Sequence, residues 1–155
     1  MPTLWMLVGV PGSGKSTWLD QQGFGRDTAI ISTDQHIDAE AARQGRTYSE
    51  VFKGFVKRAT SIMNADLAIA IKDGDDICWD QTNVTSKSRA AKLASVPNTY
   101  RKVAVFFPTP EPKELERRLA SRPGKHIPWN ILQGMASHLE IPTEDEGFDE
   151  VVVVS

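Results

Sequence analysis

Gly9-Val10-Pro11-Gly12-Ser13-Gly14-Lys15-Ser16-Thr17 matches the phosphate-binding loop pattern G-x-x-x-x-G-K-[ST] at every required position. The flanks suit it. Leu4 to Val8 is a short apolar run that reads as a buried strand, and Ser16 to Gln22 can open a helix. Gly9, Gly12 and Gly14 let backbone N–H groups turn inward around an anion, with Pro11, Ser13 and Thr17 completing the loop. Lys15 adds a mobile positive charge, and the Ser16 hydroxyl is placed to ligate Mg²⁺ at a helix start whose free N–H groups favour a polyphosphate. ATP or another nucleoside triphosphate, with Mg²⁺, is the expected ligand.

At 155 residues the chain has the length of one domain, residues 1–155, able to bury a sizeable core. Its 40% hydrophobic and 25% charged residues exclude a disordered or fibrous class. A net charge of −2 argues against a large basic surface for long nucleic acids, though a local channel of a few cations would not show in the total. Cys78 is the only cysteine, so no intrachain disulfide can form, and a cytoplasmic setting is expected. No segment approaches 18 apolar residues and no leader is evident, so no membrane partner is expected.

Beyond the first helix, Thr28 to Ser32 reads as a second strand that delivers Asp34 to its carboxyl end, where ligands bind in open parallel sheets. Asp34 can serve as a helix N-cap or as a general base; the base is the sharper reading. Apolar spacing predicts a long helix over Tyr48 to Lys72, ended by Asp73-Gly74-Asp75. A third strand over Asp76 to Asp80 leads into Asp80-Gln81-Thr82-Asn83, where Asp80 either supports magnesium or serves the turn. Ser86 to Ala94 reads as a helix, Arg101 to Phe107 as a strand, and Thr109-Pro110-Glu111-Pro112 as the start of a helix running toward Leu119. Arg117 to His126 holds five cationic residues, Lys125 among them, with a proline and a glycine; it reads as a mobile lid or as a solvated helix end. Ile127-Pro128 opens a last helix, and Phe148 to Val154 closes the chain as a strand. Five strands alternating with helices indicate a three-layer α/β domain with a parallel central sheet and a helical lid.

The chain resembles the 5′-polynucleotide kinases of bacteriophage type, within the P-loop kinase superfamily. The loop Gly9 to Trp18, Asp34, the run Asp80 to Asn83, and Arg122 with Ile127-Pro128 carry the resemblance, and the ending Pro142 to Asp149 supports it. It implies that Lys15 and Ser16 bind the triphosphate and magnesium, that Asp34 accepts the proton of the attacking hydroxyl, and that Arg122 stabilises the γ-phosphoryl group. Asp80, Thr82, Asn83 and Lys125 would lie at the substrate or lid. Where that family holds the acceptor's 3′-phosphate with an arginine three residues past the base, this chain has Ile37. A 3′-phosphate is therefore expected to add little, unless Arg43 or Arg46 swings into the place.

Transfer to a nucleic-acid 5′-hydroxyl end is the leading expectation, in host cytoplasm where the chain is phage-encoded. A nucleoside, a small metabolite or a hydroxymethylated base in DNA is the alternative acceptor, and a nucleotide-binding module without turnover is the reading from another class. Trp129 reads either as a base-stacking platform or as core. His36, His126 and His138 lack ligand spacing, so no zinc site is expected. Oligomeric state has no signal in the sequence.

Overall fold

The computed structural model describes residues 1–155. Its strands are β1 (Thr3–Val8), β2 (Thr28–Ile31), β3 (Asp76–Trp79), β4 (Arg101–Phe106) and β5 (Glu150–Val153). All pair in parallel in one sheet of order β2-β3-β1-β4-β5. The helices are α1 (Lys15–Gln22), α2 (Asp34–Gln44), α3 (Tyr48–Asp73), α4 (Ser86–Ala94), α5 (Pro112–Ala120) and α6 (Trp129–His138). A 3₁₀ turn at Glu144–Glu146 precedes β5.

The alternation of side chains along β1 builds both faces of the core. Leu4, Met6 and Val8 join Met63, Leu67 and Ala70 of α3 on one face. Leu7, with Trp5 beside it, joins Cys78, Val103, Val105 and Phe107 on the other, where Trp18 and Leu19 of α1 pack. Near-continuous apolar strands follow from having both faces covered. Helix α3 is long because Val51, Ala59, Met63, Leu67 and Ala70 recur on one stripe, and because its ends are closed. At its start Thr47 and Glu50 form a reciprocal capping box, and at its end Gly74, at φ 70°, donates to Ala70 and Ile71 carbonyls.

Several expected boundaries shift by a residue or so: the second and third strands end at Ile31 and Trp79, and the last strand begins at Glu150. The lid divides. Arg117 and Arg118 lie within α5, and only the segment from Ser121 to Pro128 connects α5 to α6. No helix is long and apolar enough to cross a membrane.

Candidate active site

The phosphate loop leaves β1 under three constraints that name its glycines. A Cβ on Gly9 would stand 2.5 Å from Ser13 Oγ and 3.0 Å from Phe107 Cβ, so any larger residue there forces its neighbours to shift. Gly14, at φ 105°, turns the chain into α1 and leaves the first amides of that helix without a side-chain cap. Gly12 holds φ 82° against Leu115. Gly9 N–H donates to the Thr82 carbonyl at 2.9 Å, which fastens the loop to the segment after β3. Lys15 folds back over the loop and donates to the carbonyls of Gly9 (2.8 Å) and Val10 (3.0 Å). Ser13 Oγ is buried with no hydrogen-bond partner in the chain.

Two clefts meet at this loop. The first, of about 810 Å³, runs from Gly12 to Thr17 along Trp18 and Gln21 and is closed by Phe107–Pro110 and by Arg117, Arg118 and Arg122. Arg118 donates to the Gly12 carbonyl at 3.0 Å, and Glu114 accepts from both Arg117 and Arg118. Those two arginines hold the Glu114 carboxyl down at about 2. The second cleft, of about 500 Å³, is floored by Asp34 and Asp80 and roofed by Arg122, Lys125 and α6. Arg122 lines both clefts; its backbone bonds to Leu119 and Lys125, while its guanidinium makes no hydrogen bond or ion pair within the chain.

Strand ends deliver the acids. Asp80 follows β3, its N–H held by the Ile31 carbonyl at 2.8 Å, and Asp34 opens α2 just beyond β2. Asp34 is not the N-cap. Thr33 holds that position without a side-chain bond, while Ser32 Oγ accepts from the Gln35 N–H, so the Asp34 carboxylate stays out of the cap. Tyr48 donates to Asp34 Oδ1 at 2.6 Å. Desolvation lowers the Lys15 ammonium to about 8, against the pull of Asp80, with Arg122 adding to the fall and Asp34 opposing it. Burial pushes the Asp80 carboxyl up, while Lys15 draws it back. Lys15, Asp80, Asp34 and Arg122 thus form one electrostatic cluster where the two clefts join.

Most candidates from the sequence converge here, with three corrections. Pro11 lines the second cleft instead of the nucleotide side. Asn83 is buried and turned away: at φ 49° it donates to the Leu7 carbonyl at 2.8 Å, and its side-chain oxygen accepts from Lys92. Ile37 is fully buried against Ala41, Val51 and Ala59, so the Ile37 side chain packs on α3 and lines neither cleft. Arg43 is engaged by Glu40, and Arg46 lies 4.0 Å from Glu50. Thr82 and Lys125 do line the second cleft; Lys125 pairs with Asp38 at 3.3 Å and lies 4.6 Å above the Tyr48 ring. The lid is fastened to α3, since the Ser49 N–H donates to Gly124 O (3.0 Å) and the His126 N–H to Ser49 Oγ (2.9 Å). Trp129 packs with Leu132 and Leu115 as core. Sequence reasoning missed Tyr48 as a partner of Asp34, and Glu114 as the organiser of two arginines at the loop; the i, i+3, i+4 spacing of Glu114, Arg117 and Arg118 was the available signal.

The donor set fits magnesium. No group of three His, Cys, Asp or Glu could cage a metal, whereas Mg²⁺ takes one or two protein oxygens and completes its shell with phosphates and water. The exposed Ser16 hydroxyl and the Asp80 carboxylate beside Lys15 offer that number.

A family model described as an AAA domain matches residues 4–142. Among curated proteins, heterogeneous nuclear ribonucleoprotein U-like protein 2 of Mus musculus is 24% identical over 94% of the chain, which spans a fifth of that relative's length. Among solved structures, a candidate kinase from Chloroflexus aurantiacus superposes with a TM-score of 0.70 at 17% identity, over 99% of this chain and 84% of that one. A gluconokinase from Sinorhizobium meliloti gives 0.58 at 19% identity, over 99% and 82%. The structure titled as a Pnkp1/Rnl/Hen1 complex gives 0.59 at 22%, over 81% of this chain and 41% of that one. These likenesses establish the P-loop kinase fold.

Proposed function

The chain belongs to the AAA domain family, and from that premise we propose that it is a kinase, transferring the γ-phosphoryl group of a nucleoside triphosphate to a hydroxyl held in the second cleft. One observation carries this reading: the phosphate loop and a carboxylate-floored pocket open onto the same unpaired arginine, Arg122. Phosphoryl transfer is mainly positioning and charge neutralisation, and that is what this arrangement supplies.

In the reaction the loop amides and Lys15 hold the polyphosphate, Lys15 exchanging loop carbonyls for phosphate oxygens. Asp34 accepts the acceptor hydroxyl's proton as its oxygen attacks the γ-phosphorus. The bond from that phosphorus to the oxygen bridging to the β-phosphate breaks, and a nucleoside diphosphate leaves. Arg122 neutralises charge on the transferring group. Magnesium, held by Ser16 and Asp80, would neutralise phosphate charge when bound with the nucleotide. Asp38, the reserve candidate for the base, is engaged by Lys125 and lies outside the cleft lining, which favours Asp34.

We assign the acceptor as a nucleic-acid 5′-hydroxyl end, read by a single domain of residues 1–155. The ribonucleoprotein relative and the cations Arg122 and Lys125 at the pocket support this. A small-metabolite acceptor is the second reading, favoured by the net charge of −2. Incubation with γ-labelled ATP and a panel of 5′-hydroxyl DNA, 5′-hydroxyl RNA, hydroxymethylated DNA, nucleosides and sugar acids separates them. Label on oligonucleotide ends is the expected result, and label confined to a sugar acid would refute it.

A further inference from the structure

We propose that Phe52 and Ile131 form a clamp for the base of the acceptor's terminal nucleoside, a subsite that rests on the kinase reading and narrows it. Large apolar side chains that face solvent are few, and two of them, Phe52 at 41% exposure and Ile131 at 49%, line the same cleft from two different helices. The same cleft is charged, through Asp34 and Asp80 on its floor and Arg122 and Lys125 on its roof. An acceptor that fits both parts carries a hydroxyl at one end and a flat apolar face at the other.

Tyr48 joins the two parts. Its hydroxyl holds Asp34 Oδ1 at 2.6 Å, and its ring stands 5.7 Å from that of Phe52 at an interplanar angle of 33°. One side chain with two torsions therefore sets the spacing between the proton acceptor and the aromatic wall. Lys125 already covers a face of Tyr48, so of these two neighbouring rings Phe52 is the one left open to a ligand. A polyol or sugar acid has no planar face and would leave Phe52 and Ile131 in water. A nucleoside has both features, and stacking on an aromatic ring tolerates any base.

The test uses 5′-hydroxyl oligonucleotides whose first residue carries either a base or an abasic sugar, with transfer from γ-labelled ATP as the readout. Wild type should favour the base-bearing end by about 5- to 150-fold in kcat/KM, the range expected for one base stacked on one aromatic ring. In Phe52→Ala that ratio should collapse toward one through KM, and Phe52→Trp should restore it; position 52 is exposed, and circular dichroism reports whether each variant is folded. Equal use of the two ends by wild type, or a ratio unchanged in Phe52→Ala, overturns the clamp alone. Transfer to a sugar acid with none to any oligonucleotide overturns the acceptor reading and the clamp with it.

Discussion

Changing Glu146 to glutamine should destabilise the protein well beyond the usual surface substitution. Arg89 is fully buried in α4, and Glu146 meets it with both oxygens, at 2.8 and 3.0 Å, from the 3₁₀ turn before β5. The third contact of that guanidinium is the Asn83 carbonyl at 2.8 Å. A neutral amide keeps the shape of Glu146 and removes its charge, leaving the buried guanidinium uncompensated. Removing one partner of a buried pair costs about 3–5 kcal/mol, and the 16% exposure of Glu146 shifts the expectation down, to about 2–4 kcal/mol. For a chain of this size that lowers Tm by about 5–15 °C. Replacing both residues together, as Arg89→Met with Glu146→Leu, should cost less than Glu146→Gln alone, because no lone charge remains. Burial raises the Glu146 carboxyl, but its hydrogen bonds with Arg89 and Thr143 outweigh that and leave it below the ordinary value. With a depressed folded pKa, the contribution is present in full above the unfolded value of about 4.3 and is lost as pH falls through the folded one. Urea titrations of wild type and Glu146→Gln at pH 7 and pH 3.5 should therefore show a gap that narrows in acid. Equal stability at pH 7 would refute the reasoning.

Asp34→Asn should retain ATP binding and slow transfer by about 10²–10⁴-fold, measured in single turnover; a wild-type rate would remove it as the base. Arg122→Ala should lower kcat by on the order of 10³-fold with little change in ATP affinity, and an effect confined to KM would make it a ground-state contact. Lys15→Ala should abolish turnover while circular dichroism stays unchanged, since Lys15 bonds only loop carbonyls; normal ATP turnover would refute the phosphate-loop reading. Gly9→Ala should weaken nucleotide binding by calorimetry, because its Cβ has to displace Ser13 Oγ or the Phe107 backbone; unchanged affinity would show that the loop gives way.

Most elements and their order were legible because each carries its own local signal; the extent of α2, Asp34–Gln44, was not read. A continuous apolar run ahead of the glycine loop marks β1, the apolar stripe with Gly74 marks α3, and paired prolines mark the start of α5. The order of the strands was not legible: all five are short apolar runs, and nothing in β4 states that it neighbours β1 and β5. The 3₁₀ turn went unread although Thr143 and Glu146 form a capping box. Within Asp80 to Asn83 the sequence could not separate roles, since the same polar residue types serve ligands and turns. There Asp80 faces the cluster with Lys15, whereas Asn83 braces β1 and its carbonyl meets Arg89, which has no hint in spacing because Glu146 lies 57 residues away.

Ile37 shows how a fixed sequence offset can mislead. At 3.6 residues per turn, a residue three positions past Asp34 lies about 60° to one side of it and a residue four past lies about 40° to the other. In α2 the wall of the core falls on the first side, so Ile37 enters the contact with Val51 and Ala59, while Asp38 stays outward and meets Lys125. The nearby arginines, Arg43 in α2 and Arg46 in the turn after it, meet Glu40 and Glu50, so the cations of the second cleft, Arg122 and Lys125, arrive together on the segment between α5 and α6. Its acids arrive on strand ends. An acceptor phosphate, if held at all, would therefore be held by the lid, and its binding would be coupled to the lid's fastening on Ser49 instead of to a fixed helix face.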